Sequence, residues 1–236
     1  MSWLKRSLLV FYVIAGMAAG AQNNIIKTGL TGAVIGDFNV GIEKKVTPKS
    51  SLHLKAGFLE PTSSPVVPLE TLIPEPYRML KVNGGISTSL EYRFYFSGKA
   101  GLRGFYLAPY ARHFSQSMLF EDVIKEYALK VEGQLNTYGT GLQMGYQWII
   151  RKTFTIDFFF IGSGIDFHEA EFTYSMDPEP EGFDYSMVTP YVDDAFKDIS
   201  FLYNNLEHEV REDSHYTRIP VKLPGFRAGI SLGVAF

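Results

Sequence analysis

The chain has 236 residues, with 22 Lys or Arg against 25 Asp or Glu, a formal charge of −3 and no cysteine. That length admits one sizeable domain or two small ones. The missing cysteine excludes a disulfide framework, a thiol nucleophile and a thiolate metal site, and the charge gives no sign of a nucleic-acid partner.

The first 22 residues, MSWLKRSLLVFYVIAGMAAGAQ, place Lys5 and Arg6 before an apolar run from Leu8 to Met17. Ala19 and Ala21 then stand at the −3 and −1 positions of a cut before Gln22. This predicts a secretory signal peptide over 1–21, because the run is shorter than the roughly 20 residues a spanning helix needs. No cysteine follows the cut, so no lipid anchor is expected there.

From residue 22 onward the recurring pattern is period-two alternation. Eight stretches show it. The first, 25–35, sets Ile26, Thr28, Leu30 and Val34 on one face, and the second sets Phe38, Val40 and Ile42 against Asn39, Gly41, Glu43 and Lys45. In the third, Leu52, Leu54, Ala56 and Phe58 alternate with His53, Lys55 and Gly57; in the fourth, Ile86, Thr88, Leu90, Tyr92, Phe94 and Phe96 alternate with Ser87, Ser89, Glu91, Arg93 and Tyr95. The fifth opposes Phe105, Leu107, Pro109 and Ala111 to Tyr106, Ala108, Tyr110 and Arg112. The sixth opposes Leu142, Met144, Tyr146, Trp148 and Ile150 to Gln143, Gly145 and Gln147. The seventh carries Ile156, Phe158 and Phe160 around Asp157, with Phe159 and Ile161 blurring its polar face. The eighth, GFRAGISLGVAF, alternates Phe226, Ala228, Ile230, Leu232, Val234 and Phe236 with Arg227 and small residues.

Strands of about ten residues, short turns on one side and long loops on the other predict an all-β fold, an eight-stranded antiparallel up-and-down transmembrane β-barrel over 22–236. Its long external loops fall at about 60–80, 114–136 and 166–217. Tyr92, Phe94, Phe96, Phe105, Tyr146, Trp148, Phe154, Phe158 and Phe236 lie near the short-turn ends, where an interfacial girdle would be. A charge on the lipid face costs about 2–4 kcal/mol at the midplane, so Glu43, Lys45, Lys55, Glu91, Arg93, Arg112, Asp157 and Arg227 are expected to point inward as a polar network. A lumen of eight strands is just wide enough for side chains, so these charges predict a plug rather than a pore. Closure by pairing the last strand with the first explains a chain that ends on an alternating strand, with both termini on the periplasmic side.

The segments NNIIKTGL, GIEKKVTPKSSLHLKAGF, EYRFYFS, GFYLAPYAR, GLQMGYQW and the glycine-rich last strand together resemble a family of small outer-membrane β-barrels of Gram-negative bacteria, a domain of unknown function. The resemblance runs over most of the mature chain. It implies an outer-membrane location and presentation of the final Phe to the barrel-assembly machinery, and it brings no catalytic residue. The last loop departs from the family in length and acidity.

That loop, Asp166 to Thr217, holds 14 acidic residues against Lys197 and Arg211. It reads as a solvated surface, with Glu169, Glu171, Asp193, Asp194, Glu207 and Glu209 as candidate oxygen ligands for divalent cations at the lipopolysaccharide surface, although no spacing matches a dedicated calcium loop. The connection EPTSSPVVPLETLIPEP reads as a semi-rigid surface loop. In RHFSQS, His113 and Ser115 at the outer end of the fifth stretch, followed by Glu121 and Glu126, resemble the His-x-Ser element of outer-membrane lipid A deacylases. Gln116 stands where that family has Asn.

The expected function is therefore a non-catalytic surface, structural or binding barrel without cofactor. Its lumen would be plugged by side chains, and its acidic external loop would contact cations, lipopolysaccharide or a macromolecular partner. The alternatives are a lipid-modifying enzyme using His113 and Ser115, or a narrow passive channel.

Overall fold

The computed structural model describes residues 23–34, 36–61, 81–97, 101–124, 127–177 and 182–236. The expected signal peptide, nearly all of the 60–80 connection and Glu126 lie outside the described residues.

Nine strands follow in chain order: β1 (Asn24–Gly29), β2 (Asp37–Thr47), β3 (Ser50–Leu59), β4 (Lys81–Tyr95), β5 (Gly104–Ile124), β6 (Tyr127–Ile150), β7 (Phe154–Asp177), β8 (Glu207–Val210) and β9 (His215–Ala235). All neighbours are antiparallel. The sheet order is β1 to β7, then β9 and β8, and β1 also pairs with β9, so eight strands close a ring while β8 sits outside it on the edge of β9. The hydrogen-bonded row that starts at Thr28 passes through Val40, Ala56, Thr88, His113, Tyr138 and Phe167 and reaches β9 at Lys222, ten residues from the Leu232 that Thr28 itself faces. This stagger is the shear that a closed, tilted ring requires.

Alternation decides the faces. On β2 to β4, residues 41, 43, 51, 53, 89, 91, 93 and 95 are buried, while Val40, Ile42, Leu52, Leu54, Phe58, Ile86, Leu90 and Phe94 are exposed. Leu142, Tyr146, Trp148 and Ile150 on β6 and Phe226, Ile230 and Leu232 on β9 continue the exposed apolar face around the ring. Hydrogen-bonding polar groups fill the inside. The fold is thus apolar outward and polar inward over the half of the ring nearer the short turns.

Four local features differ from the sequence expectation. The first strand ends at Gly29, and Leu30–Val34 forms a short helix, α1, before Gly36 (φ 79°) turns the chain into β2. The seventh strand contains a β-bulge: Phe159 faces Gly145 and Ile161 faces Met144, which leaves Phe160 as the extra residue. One inserted residue shifts the parity of everything after it, which is why Ile161 turns outward; Phe159, before the bulge, keeps the inward parity of Asp157 and packs under Arg227. Third, the segment 114–136, expected as a loop, continues β5 and β6 as a hairpin paired up to Ile124 and Tyr127. Finally, the expected 166–217 loop is strand to Asp177 and again from His215. The part between them carries β8, a 3-10 turn at Tyr185–Val188 and two short helices, α2 (Thr189–Phe196) and α3 (Ser200–Tyr203). Strands β5, β6, β7 and β9 are consequently 21 to 24 residues long, twice the length of β2 and β3.

Candidate functional site

The inward faces of β1, β2, β4 and β7 bring Lys27, Glu43, Arg93 and Asp157 together near the short-turn end of the ring. All four are at most 2% exposed. Asp157 Oδ2 accepts from Arg93 Nη1 at 2.6 Å and from Lys27 Nζ at 2.8 Å. Lys27 Nζ also meets Glu43 Oε2 at 2.5 Å and donates to Gln147 Oε1. Glu43 Oε1 accepts from Ser51 Oγ and from Tyr95 OH, each at 2.5 Å. Asp157 Oδ1 accepts from Tyr106 OH at 2.8 Å.

Glu91 extends the cluster. Its Oε2 takes Arg93 Nη2 at 2.6 Å and Nε at 2.9 Å, and its Oε1 takes Arg227 Nη2 at 3.0 Å. The Arg93 guanidinium lies 4.5 Å from the Tyr106 ring centroid, and Arg227 lies 4.7 Å from Tyr110. Three cations, Lys27, Arg93 and Arg227, therefore face three carboxylates, Glu43, Glu91 and Asp157, in one buried network. Buried charges persist only when paired and hydrogen-bonded, and this set satisfies both conditions. His53 Nδ1 lies 3.2 Å from Glu91 Oε2 and 3.1 Å from Arg93 Nη2, so it donates to the first or accepts from the second according to its tautomer.

Of the eight residues expected inside, Glu43, Glu91, Arg93, Asp157 and Arg227 meet in this network. Arg112 lies further along the ring and pairs with Asp166, which the sequence reading had placed in a loop. Lys45 is half-buried beside the Thr47–Ser50 turn, apart from the cluster. Lys55 and Arg112 line a cavity of about 530 Å³ that begins where the network ends and shares Glu91, Arg93 and Arg227 with it. Sequence reasoning missed Lys27, Gln143, Gln147, Tyr95 and Tyr106 as network members. Their parity was visible, since Lys27 stands between Ile26 and Thr28.

The candidate cation ligands do not converge. Arg218 takes both Glu169 and Glu207, the latter at 3.0 Å; Glu171 accepts from Tyr216 OH at 2.7 Å. Asp193 meets His208 at 3.2 Å, Asp194 pairs with Lys197, and Glu209 pairs with Arg211 at 2.9 Å. Among the described residues no group of three His, Cys, Asp or Glu could hold a metal ion. Of these pairs, Glu207–Arg218 ties β8 to β9 and Asp193–His208 ties α2 to β8, while Asp194–Lys197 and Glu209–Arg211 are local. His208 bridges Asp193 to His215 Nε2 at 3.1 Å. Burial, reinforced by the charge His208 carries when protonated, lowers the His215 pKa from the ordinary value of 6.5. Burial and the Glu171 hydrogen bond push the Tyr216 phenol up to about 12.

His113 and Ser115 share the outward face of β5. The His113 ring stacks on Tyr138 with centroids 4.7 Å apart, and Ser115 Oγ accepts from Gln134 Nε2 at 3.5 Å. Glu121 lies on the outer part of the same strand.

One family model, described as a protein of unknown function (DUF3575), matches residues 7–181. No curated protein and no solved structure matches the chain.

Proposed function

We propose that this chain, which belongs to the DUF3575 family of unknown function, is a non-catalytic barrel of the Gram-negative outer membrane with a lumen closed to ions and an outer wall that serves as a binding surface. One observation carries this reading. The molecule is inside-out relative to a water-soluble β protein, with Lys27, Glu43, Glu91, Arg93 and Asp157 buried and an apolar band exposed around the ring. Soluble monomers rarely expose apolar patches beyond a few hundred Å², whereas lipid is the solvent in which such a band is stable.

Phe94, Phe96, Phe105, Tyr146, Trp148 and Phe154 are exposed close to the short turns, as an aromatic girdle at the periplasmic interface would be. The long strands β5, β6, β7 and β9 then rise beyond the hydrocarbon on the outer side. They carry with them the acidic excursion between β7 and β9, whose carboxylates are spread along a wall suited to a partner protein or to lipopolysaccharide rather than gathered on one ion.

The test is fractionation of expressing cells, followed by electrophoresis with and without boiling and recording in planar bilayers. The expected result is outer-membrane recovery, heat-modifiable migration and no conductance. Recovery as a soluble protein, or discrete conductance steps, would overturn it.

A further inference from the structure

The ring is sealed unevenly along β9. β1 pairs with Ser231 to Ala235 and β8 with His215 to Arg218, so among the described residues no strand pairs with residues 219–230 on that side. Ile230 N–H donates to Thr31 Oγ1 at 2.9 Å, which shows that the even-numbered residues of β9 turn their backbone groups toward this gap. Pro220 and Pro224 are even-numbered. They lack an N–H at two positions where no strand offers an acceptor, the placement proline takes on a strand edge. Helix α1 stands at the lower end of the gap.

The 530 Å³ cavity reaches this gap. Its wall runs from Thr31 and Asp37 on one side to Phe226, Arg227, Ala228 and Ile230 on the other. Its size falls within the roughly 300–1,000 Å³ of small-molecule sites. On its inner surface Arg227 gives Nη2 to Glu91 while its Nη1 is buried with no hydrogen-bond partner, and Ser89 Oγ is likewise buried and unpartnered. Lys55 lines the same space. Lys55, Arg93, Arg112 and Arg227 outnumber Asp37, Glu91 and Asp166 around this chamber, which the Ser89 hydroxyl also borders and whose open side meets the exposed apolar face at Phe226 and Ile230.

We propose that this chamber binds the carboxylate head of a single-chain amphiphile that enters sideways through the gap between β9 and α1. Arg227 Nη1, Lys55 and Ser89 Oγ hold the head, and the acyl chain lies along Phe226 and Ile230. The proposal rests on the membrane reading above, since only a lipid-embedded gap meets such a ligand laterally.

The experiment uses full-length mature protein refolded in a zwitterionic detergent, with laurate as probe. Heat-modifiable migration is scored first, because its absence overturns the membrane reading and this proposal together. On the folded protein, saturable binding of about one laurate per chain is expected, weakened at least tenfold in Arg227→Gln and severalfold in Lys55→Gln and Ser89→Ala, with neither acetate nor inorganic phosphate competing. Equal competition by acetate or phosphate would identify a free-anion site and overturn lateral entry. In the otherwise cysteine-free chain, Thr31→Cys with Ile230→Cys should block laurate when oxidised and restore it on reduction. Unchanged binding in the oxidised form, or no laurate binding by heat-modifiable protein, would overturn the proposal and leave the barrel reading standing.

Discussion

Arg93 and Asp157 meet at 2.6 Å across the lumen although 64 residues separate them in the chain. Each is also held by a second opposite charge, Arg93 by Glu91 and Asp157 by Lys27. The network is therefore a chain of alternating signs crossing the ring from β1 through β7 to β4, and removing any one link strands a charge at its neighbour.

Asp157→Ala is accordingly expected to destabilise the folded protein by about 3–5 kcal/mol, since Lys27 and Arg93 would be left buried with a carboxylate missing. Replacing Lys27 by Met and Glu43 by Leu together should cost less than the sum of the two single changes. A double-mutant cycle on urea midpoints, read by the boiled and unboiled gel bands, checks both statements.

The plug predicts conductance by subtraction. Arg93 occupies the middle of the lumen and touches Glu91, Asp157 and Glu43. Arg93→Ala in protein that still migrates as folded should admit small ions in planar bilayers, with cation preference from the carboxylates it leaves behind. Silence from that variant would show that the remaining side chains close the lumen alone.

Gly145 tests packing rather than charge. A Cβ at this position would lie 2.5 Å from the Tyr106 ring and hydroxyl. Gly145→Ala should therefore displace Tyr106 from Asp157 and cost about 1–3 kcal/mol by overpacking. The expected readout is a lowered urea midpoint, with a smaller loss when Tyr106→Phe is already present.

Stability of the outer wall should depend on pH through His215. Its folded pKa lies below the unfolded value of 6.5 because burial and His208 disfavour the charged ring. The unfolded form thus binds more protons as pH falls through about 6.5, and attachment of β8 weakens on the acidic side while remaining intact above it. Hydrogen exchange of the Glu207–Val210 amides should be faster relative to the intrinsic rate at pH 5 than at pH 7.5. His215→Phe should flatten that difference.

The non-catalytic reading predicts that His113→Ala leaves the lipid A of expressing cells unchanged. Mass spectrometry of lipid A from cells with and without the protein is the check. A change in acyl-chain number that disappears in the His113 variant would bring in hydrolysis and direct attention to Ser115.

Much of the ring was legible in the sequence because period-two alternation reports burial, and on the short-turn part of β2 to β6 one face is mostly apolar. The same dependence explains what was not legible. Beyond Ala111 on β5 the alternation fades into HFSQSMLFEDVI, yet the backbone ladder continues to Ile124, since hydrogen bonding needs no apolar face. The Phe160 bulge broke the count on β7 by a single residue. Asp166 lies beyond that bulge, where an inward parity counted from Asp157 no longer applies, so its place opposite Arg112 is not readable from the alternation. Lys27 stands on the inward parity between Ile26 and Thr28, the one charge of its strand. Pro220 and Pro224, which mark the unpaired stretch of β9, are a sequence signal for that edge once the strand is known.

The joint that completes the ring is a short one, no longer than the β1–β2 pairing beside it. β1 and β9 share five paired residues, Ile25 with Ala235 through Gly29 with Ser231, whereas β5 and β6 run side by side for their whole length. Neighbouring strands zip locally from tight turns; the closing pair must first find each other across a span of about 210 residues, and the entropy of that search is recovered by very few bonds. Closure is therefore the natural candidate for the slow, late event in folding. An almost complete but open sheet, its two free edges unsatisfied, is then the species that precedes closure.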